Sequence, residues 1–293
     1  MDRETLAAID IGSNAIRLLI KYVETDKKVS FKRAAFVRVP IRLGEDVFTE
    51  GRIGEKKREK LCDAMRAFSA LMKTFRVKRY RACATSAMRE ASNGKETIDY
   101  ILEQSGVNIE IISGQHEAEM IFKAGDLSGL VGEDKSFVYV DVGGGSTELT
   151  LYTNHKRVAS ESFPLGTVRT ISKGVDKEDF KRFKKWLEDV ALPCRPTTII
   201  GSGGNINKIH KLLGKKEGEA INYVELKVLY DHLKDMSFDE RVSNIGLNLY
   251  RADVIIPAMK IFTTVAKCCK INEILVPKTG LADGIINGLH FHE

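Results

Sequence analysis

The strongest constraint on this chain is a pattern that occurs twice: LAAIDIGSNAIRLLI at 6–20 and FVYVDVGGGSTELTLY at 137–152. Each copy is an apolar run ending in an acid, Asp10 or Asp141, followed by small residues and a second apolar run. β-Branched and aromatic residues suit strands, and glycine gives a tight turn its backbone freedom, so both copies are predicted to be strand, turn, strand. Laying Asp10 on Asp141 aligns Gly12 with Gly143, Ser13 with Gly144, Asn14 with Gly145 and Arg17 with Glu148. The duplication implies two related lobes facing one another, each with a phosphate-sized nest in its turn.

The residues around each copy extend the repeat. In the first lobe a strand is expected at 28–39 and a loop at 44–54. A helix is expected at 53–75, with Leu61, Met65, Phe68 and Leu71 or Met72 at helical spacing. A strand through YRACA then carries Thr85, Ser86 and Arg89 at its end, with a helix to 102, a short strand at 109–112 and a helix at 114–122. The second lobe is expected to run through a strand at 156–163, a helix at 177–190 and a strand at 197–200 that enters GSGGN, where a helix opens at Asn205. Further helices are expected at 223–234, 238–245 and 252–267, with a last strand at 274–276. The domains are therefore placed at 1–125 and 126–293, with the linker in 125–132.

Composition narrows the class. A chain of 293 residues with 43% hydrophobic and 29% charged residues can bury two ordinary cores. The opening MDRETLAAID has an early acid and no long apolar run, so a signal peptide, an anchor and a membrane partner are not expected, and the cytoplasm is. Cys62, Cys83, Cys194, Cys268 and Cys269 fit no zinc or redox spacing and are expected to be reduced thiols. The net charge of +6 is modest. Basic runs at 56–58, 76–81 and 181–185 read as exposed helix faces, or as a rim that steers a polyanion. No aromatic-basic platform appears, so nucleic acid is not an expected partner.

Three glycine loops carry the chemistry: Gly12, Ser13 and Asn14; Gly143, Gly144, Gly145 and Ser146; and Gly203 and Gly204, at a helix start where N–H groups and the helix dipole favour an anion. The P-loop spacing G-x-x-x-x-G-K-[ST] and the full dinucleotide fingerprint are both missing. Thr85 and Ser86 add hydroxyls for a phosphate, and Arg89 can clamp one bidentately. Asp10, Asp141 and Glu148 are hard oxygen ligands suited to Mg2+ or another divalent cation held partly through substrate phosphates. Either Asp alone reads equally as a turn-capping carboxylate; two related by duplication favour metal. Arg17 is divided between an ion pair with Glu148 and contact with substrate.

These loops resemble the nucleotide-binding fold of the actin, hexokinase and Hsp70 superfamily. The ordered strings AIDIGSNAIRLLI, ATSAMREASNG, IISGQHEAEMIF, VDVGGGSTEL, IIGSGGNI, RADVIIPA and VPKTGLADGII are similar to those of the exopolyphosphatase and guanosine pentaphosphate phosphohydrolase family, from Ala7 to Ile286. The pair ATSAMRE and SGQHEAE is its most specific part. The resemblance implies an α/β fold of two ribonuclease-H-like, actin-like ATPase lobes with mixed sheets, flanking helices and an interlobe cleft. It implies removal of terminal phosphate from inorganic polyphosphate or guanosine pentaphosphate, with Glu117 as the residue that activates water. Arg251 also falls on a family motif, which helix capping or packing explains equally well. His116 stands where the family commonly has a second acid, and HEAEM is not the zinc motif H-E-x-x-H. His290 and His292 are expected near a frayed end. Longer members carry further helical domains; this chain is expected to be the short form, suited to short chains or small nucleotides. A small-molecule kinase and a non-catalytic nucleotide sensor remain alternatives, and a nucleotide effector and a homodimer remain open.

Overall fold

The structure is a computed structural model that describes residues 4–24, 29–124, 130–132, 135–277 and 279–291. It divides into two compact units, Met1–Ala124 with Gly280–Glu293, and Gly125–Thr279. Of the linker expected at 125–132, residues 125–129 lie outside the described residues, as do Lys28 and His292.

The first unit is built on strands β1 (Glu4–Ile11), β2 (Ile16–Glu24), β3 (Ser30–Val39), β4 (Arg79–Ala84) and β5 (Glu110–Ile111), in the order β3-β2-β1-β4-β5. β1 pairs antiparallel with β2 and parallel with β4, so it lies inside the sheet, and Leu6 to Ile9 are fully buried. Burial on both faces is why its sequence is an apolar run without alternation. Helix Glu55–Thr74 buries Leu61, Met65, Phe68 and Met72, the stripe expected of an amphipathic helix, and packs against helix Gly94–Ser105. Helix Gly114–Ala124 follows β5.

Two assignments change here. The loop expected at 44–54 contains helix Leu43–Glu50, entered through Arg42 in the left-handed conformation and closed by Gly51 at φ 73°. β4 ends at Ala84, so Ser86 and Arg89 lie on the short helix Ser86–Glu90 and not on a strand end. The domain limits also differ at the C-terminal end. Residues 281–291 form a helix that packs against β1 and helix Gly114–Ala124, which places it with the first unit. Lys21 Nζ donates to Asp283 Oδ1 (2.7 Å), and Gly284 lies directly on the Met120 backbone. His290, expected near a frayed end, is inside this helix, edge-on to Phe31 and 3.6 Å from Glu4 Oε2.

The second unit is a sheet of β6 (Ser136–Val142), β7 (Thr147–Thr153), β8 (Lys156–Phe163), β9 (Thr198–Ser202), β10 (Ile221–Asn222) and β11 (Glu273–Leu275), in the order β10-β11-β9-β6-β7-β8. Read from the hairpin, β8-β7-β6-β9-β11 repeats the first sheet's order, with β10 added at the edge. Helix Ile255–Cys269 is apolar on most of its surface and sits in the core, where Met259, Phe262 and Val265 are fully buried. Helix Thr167–Lys173 and strand β10 have no counterpart in the sequence reading. Helix Lys177–Trp186 continues through a π-turn at Leu187–Ala191, close to the expected end. All five cysteines are free thiols.

Candidate active site

The two duplicated turns are closed by the same bond at aligned positions. Gly12 N donates to Ala15 O (3.2 Å), and Gly143 N donates to Ser146 O (3.0 Å). Each turn is then tied to the helix that follows the third strand of its sheet. In the first unit Gly44 N donates to Ser13 O (2.9 Å) and Arg42 N to Asn14 O (3.0 Å). In the second, Thr167 N donates to Gly143 O (3.0 Å), while Val168 N and Arg169 N donate to Gly144 O (2.8 and 3.0 Å). Arg169 Nε adds a bond to Gly145 O at 2.6 Å. In a trans peptide the N–H and C=O point opposite ways. Drawing these carbonyls onto the helices therefore turns the N–H groups of Asn14 and Ala15 in the first unit, and of Gly144 and Gly145 in the second, away from the helix of their own unit.

Two further glycines complete the second unit's loops. Gly166 precedes helix Thr167–Lys173, and a Cβ there would lie 2.2 Å from Gly145 C and 2.3 Å from Gly144 O. Sequence reasoning missed this residue because the close approach is made across the fold; FPLGT gives only a weak local signal. Gly203 has φ +105°, and a Cβ on it would sit 3.0 Å from Val142 O and 3.2 Å from Asp141 Oδ1. The third glycine loop thus abuts Asp141, next to the last residue of β6. Gly204 opens helix Gly204–Leu212, and its carbonyl accepts from Arg251 Nη1, which gives Arg251 a role in holding that loop.

The acids occupy matching registers with different neighbours. Asp10 is paired across β1 and β2 with Arg17, and the Arg17 guanidinium bonds to Asp10 Oδ2. Asp141 is paired in the same way with Glu148. Both are nearly inaccessible, at 7% and 3% exposure, and Glu148 Oε1 accepts from Ser146 Oγ (2.5 Å) and Ser162 Oγ (3.0 Å). Among the described residues no cluster of three or more His, Cys, Asp or Glu side chains forms a ready-made metal cage.

At the carboxyl ends of β1, β4 and β5, the edge of an α/β sheet where ligands are usually held, the remaining first-unit candidates come together. Thr85 N donates to Ile11 O (3.1 Å), and Ala87 N donates to Ser13 Oγ (3.2 Å), so helix Ser86–Glu90 is pinned to the glycine turn. Thr85 and Ser86 are buried, and the Ser86 hydroxyl donates to Glu90 Oε1 (2.9 Å). Arg89 is exposed, with Nη1 donating to Ile112 O at 2.7 Å. One residue further on, Ser113 starts the next helix: its carbonyl accepts from Glu117 N (3.0 Å) and its hydroxyl from His116 N (3.1 Å). Glu117 in this first turn lies at the favourable end of the helix dipole. Behind it, Arg81 is ion-paired with Glu110, and its Nη2 lies 3.4 Å from His116 Nε2. Burial works against the charge on Glu110, but Arg81 more than offsets this and holds the carboxyl below the usual range. Burial, and then Glu110, push the Cys83 thiol well above its ordinary value, so it is inert.

Two sheets that share a strand order, each with a strand whose second-to-last residue is an acid running into a small-residue turn, define a mixed α/β protein with a duplicated turn. The Ppx/GppA phosphatase family model matches residues 23–292, and the chain belongs to that family. It is 24% identical to the guanosine-5'-triphosphate,3'-diphosphate pyrophosphatase of Aliivibrio fischeri (strain ATCC 700601 / ES114) over 307 aligned positions, which cover 97% of this chain and 59% of the relative. The chain thus spans about 59% of the length of that curated relative. The crystal structure of the Aquifex aeolicus member of the Ppx/GppA family superposes with a TM-score of 0.77 at 26% identity, covering 99% of both chains. An exopolyphosphatase from Cytophaga hutchinsonii ATCC 33406 has the same fold, with a TM-score of 0.84 at 24% identity over 99% of this chain and 98% of that one.

Proposed function

We propose that the protein hydrolyses the terminal phosphoanhydride of inorganic polyphosphate, guanosine pentaphosphate, or both. The family, and the activity named for its Aliivibrio fischeri and Cytophaga hutchinsonii relatives, support a phosphate hydrolase. The observation that carries the assignment is local to the first unit. The Arg89 guanidinium is tethered to Ile112 O, and the Glu117 amide is held by Ser113 O, one residue further along. A guanidinium suited to phosphoryl oxygens and the helix turn that carries the proposed water-orienting glutamate thus start from adjacent peptides, and preorganisation of this kind is what phosphoryl transfer to water needs. Within the first unit, the turn N–H groups at Asn14 and Ala15 would supply further donors to phosphate oxygens.

Asp141 and Glu148 fit a divalent cation. Both are hard oxygen donors, nearly inaccessible and directly opposite one another on neighbouring strands, and such oxygens are the ligand type that cation takes. Magnesium bound there would neutralise phosphate charge and complete its shell with waters and substrate oxygens. Asp10, whose Oδ2 accepts from Arg17, braces its own turn and keeps the arginine in place. Free thiols fit a reducing compartment, and we place the protein in the cytoplasm. No described helix is long and apolar enough to cross a membrane.

The test is Glu117→Gln. Phosphate release from both substrates should fall by about 10²–10⁴-fold, the usual contribution of a positioned base, with the unfolding midpoint unchanged. Equal turnover by the folded variant would sink the assignment. Labelled oxygen from water should appear in the released phosphate; a phosphorylated acceptor would instead mark a kinase.

A further inference from the structure

Arg81 of β4 reaches two other elements of the first unit. On one side is Glu110 of β5, the strand paired with β4. Arg81 Nε donates to Glu110 Oε1 and Nη2 to Glu110 Oε2 (3.4 Å), which fastens the guanidinium to the sheet. Cys83 Sγ donates to the same carboxylate (3.5 Å), so Glu110 is itself braced from β4. On the other side is helix Gly114–Ala124. Arg81 Nη1 donates to Met120 Sδ (3.6 Å), and Nη2 lies 3.4 Å from His116 Nε2. Arginine carries donors only, so the imidazole nitrogen facing it is the acceptor.

His116 and Met120 are four residues apart, so the two contacts lie on one face of the helix on successive turns. Glu117 is the residue after His116, about 100° around the axis from that face. Rotation about the helix axis is therefore a motion that swings Glu117, and a guanidinium that grips two successive turns opposes it. The other attachments act in other directions. Bonds from His116 N and Glu117 N to Ser113 fix where the helix begins. Gly284 meets the helix at the Met120 backbone and sets how near the neighbouring helix comes. Burial of Ala118 and Ile121 settles which face is inward, but apolar contact is non-directional. The directional contacts of Arg81 refine it.

We propose that Arg81 is a positioning residue for the hydrolysis: held by Glu110 and spanning His116 and Met120, it fixes the rotation of helix Gly114–Ala124 and with it the aim of Glu117. The claim rests on the reading of Glu117 as the carboxylate that orients water. It also gives His116 a use, as the acceptor that completes the grip.

Arg81→Lys keeps a cation for Glu110 but loses the fork that reaches both turns. The substrate for the test is whichever of inorganic tripolyphosphate and guanosine pentaphosphate the wild type turns over faster. With an unfolding midpoint near that of the wild type, Arg81→Lys should lose about ten- to a hundredfold in kcat, with KM changed by less than about twofold. His116→Phe should lower kcat by a smaller factor, and His116→Gln, whose amide oxygen can accept in place of Nε2, should recover most of that loss. In a Glu117→Gln background Arg81→Lys should cost less than about twofold, because a residue that acts through Glu117 has nothing left to position. The Met120 methyl resonance, which needs no turnover, should shift in Arg81→Lys. The proposal is overturned if folded Arg81→Lys keeps the wild-type kcat, if its loss falls on KM, if the loss is as large in the Glu117→Gln background, or if the Met120 signal stays in place. Glu117→Gln separates the two readings. Turnover lost there but kept in Arg81→Lys removes the grip and leaves the hydrolase, whereas turnover kept in Glu117→Gln defeats the hydrolase reading itself.

Discussion

A methyl group at position 166 has no room. It would lie 2.2 Å from Gly145 C, a backbone atom that can yield only if the turn moves. Gly166→Ala is therefore expected to cost about 1–3 kcal/mol, as overpacking does, and to raise KM, because the displaced segment is the one that presents Gly144 and Gly145. Denaturant unfolding and steady-state kinetics on the same preparation check both halves. The Arg81–Glu110 pair makes a different prediction. A carboxyl whose folded pKa is depressed stabilises the fold above the unfolded glutamate range of about 4.3 and loses that stabilisation as pH falls through the folded value. Glu110→Gln should accordingly unfold at lower urea than the wild type near neutrality, and the gap should close in acid. A gap that persists or widens on acidification would show that the pair is not the source. Gly166 could not be found from sequence, since its neighbours lie about twenty residues away in the chain. Glu117 could be named only through the resemblance, because a first-turn glutamate is ordinary helix chemistry.

Elements were legible where their pattern is local. Both hairpins and helix Glu55–Thr74 have long apolar runs or a clear stripe, and they lie where periodicity puts them. Helix Thr167–Lys173 was not legible. Its sequence, TVRTISK, is poor in strong helix formers, and its first amides are satisfied by the carbonyls of Gly143 and Gly144. Helix Leu281–Phe291 is similar in kind: Gly284 and Gly288 lower its propensity, yet Gly284 is needed where the helix meets Met120. A Cβ at 284 would be 2.3 Å from Met120 O, one turn along from Glu117. Gly284→Ala should force the helices apart, destabilising the protein by about 1–3 kcal/mol and lowering kcat more than it changes KM. A stable variant with unchanged kcat would mean that this crossing does not position Glu117. The Lys21–Asp283 bond fixes the same helix to β2.

For the whole molecule, the connectivity decides which parts can stand alone. The second unit is one continuous segment, Gly125–Thr279, whereas the first is made of two segments far apart in the chain. A fragment of residues 1–124 would lack the helix that covers β1 and should be proteolysed rapidly, and a synthetic peptide of 280–293 added in trans should protect it. A fragment of residues 130–279 should unfold cooperatively by itself, with its own sheet and core. Failure of the peptide to protect the first fragment would mean that helix Leu281–Phe291 contributes little to that core. The same connectivity bears on birth at the ribosome. Domains ordinarily settle in the order they emerge, starting from the N-terminal end. Here the first sheet is synthesised early but must wait for the final helix, while the inserted unit emerges whole and can mature ahead of it. A stalled or truncated nascent chain would therefore expose β1, the most apolar strand of the first unit, and chaperone capture should peak during synthesis of the second.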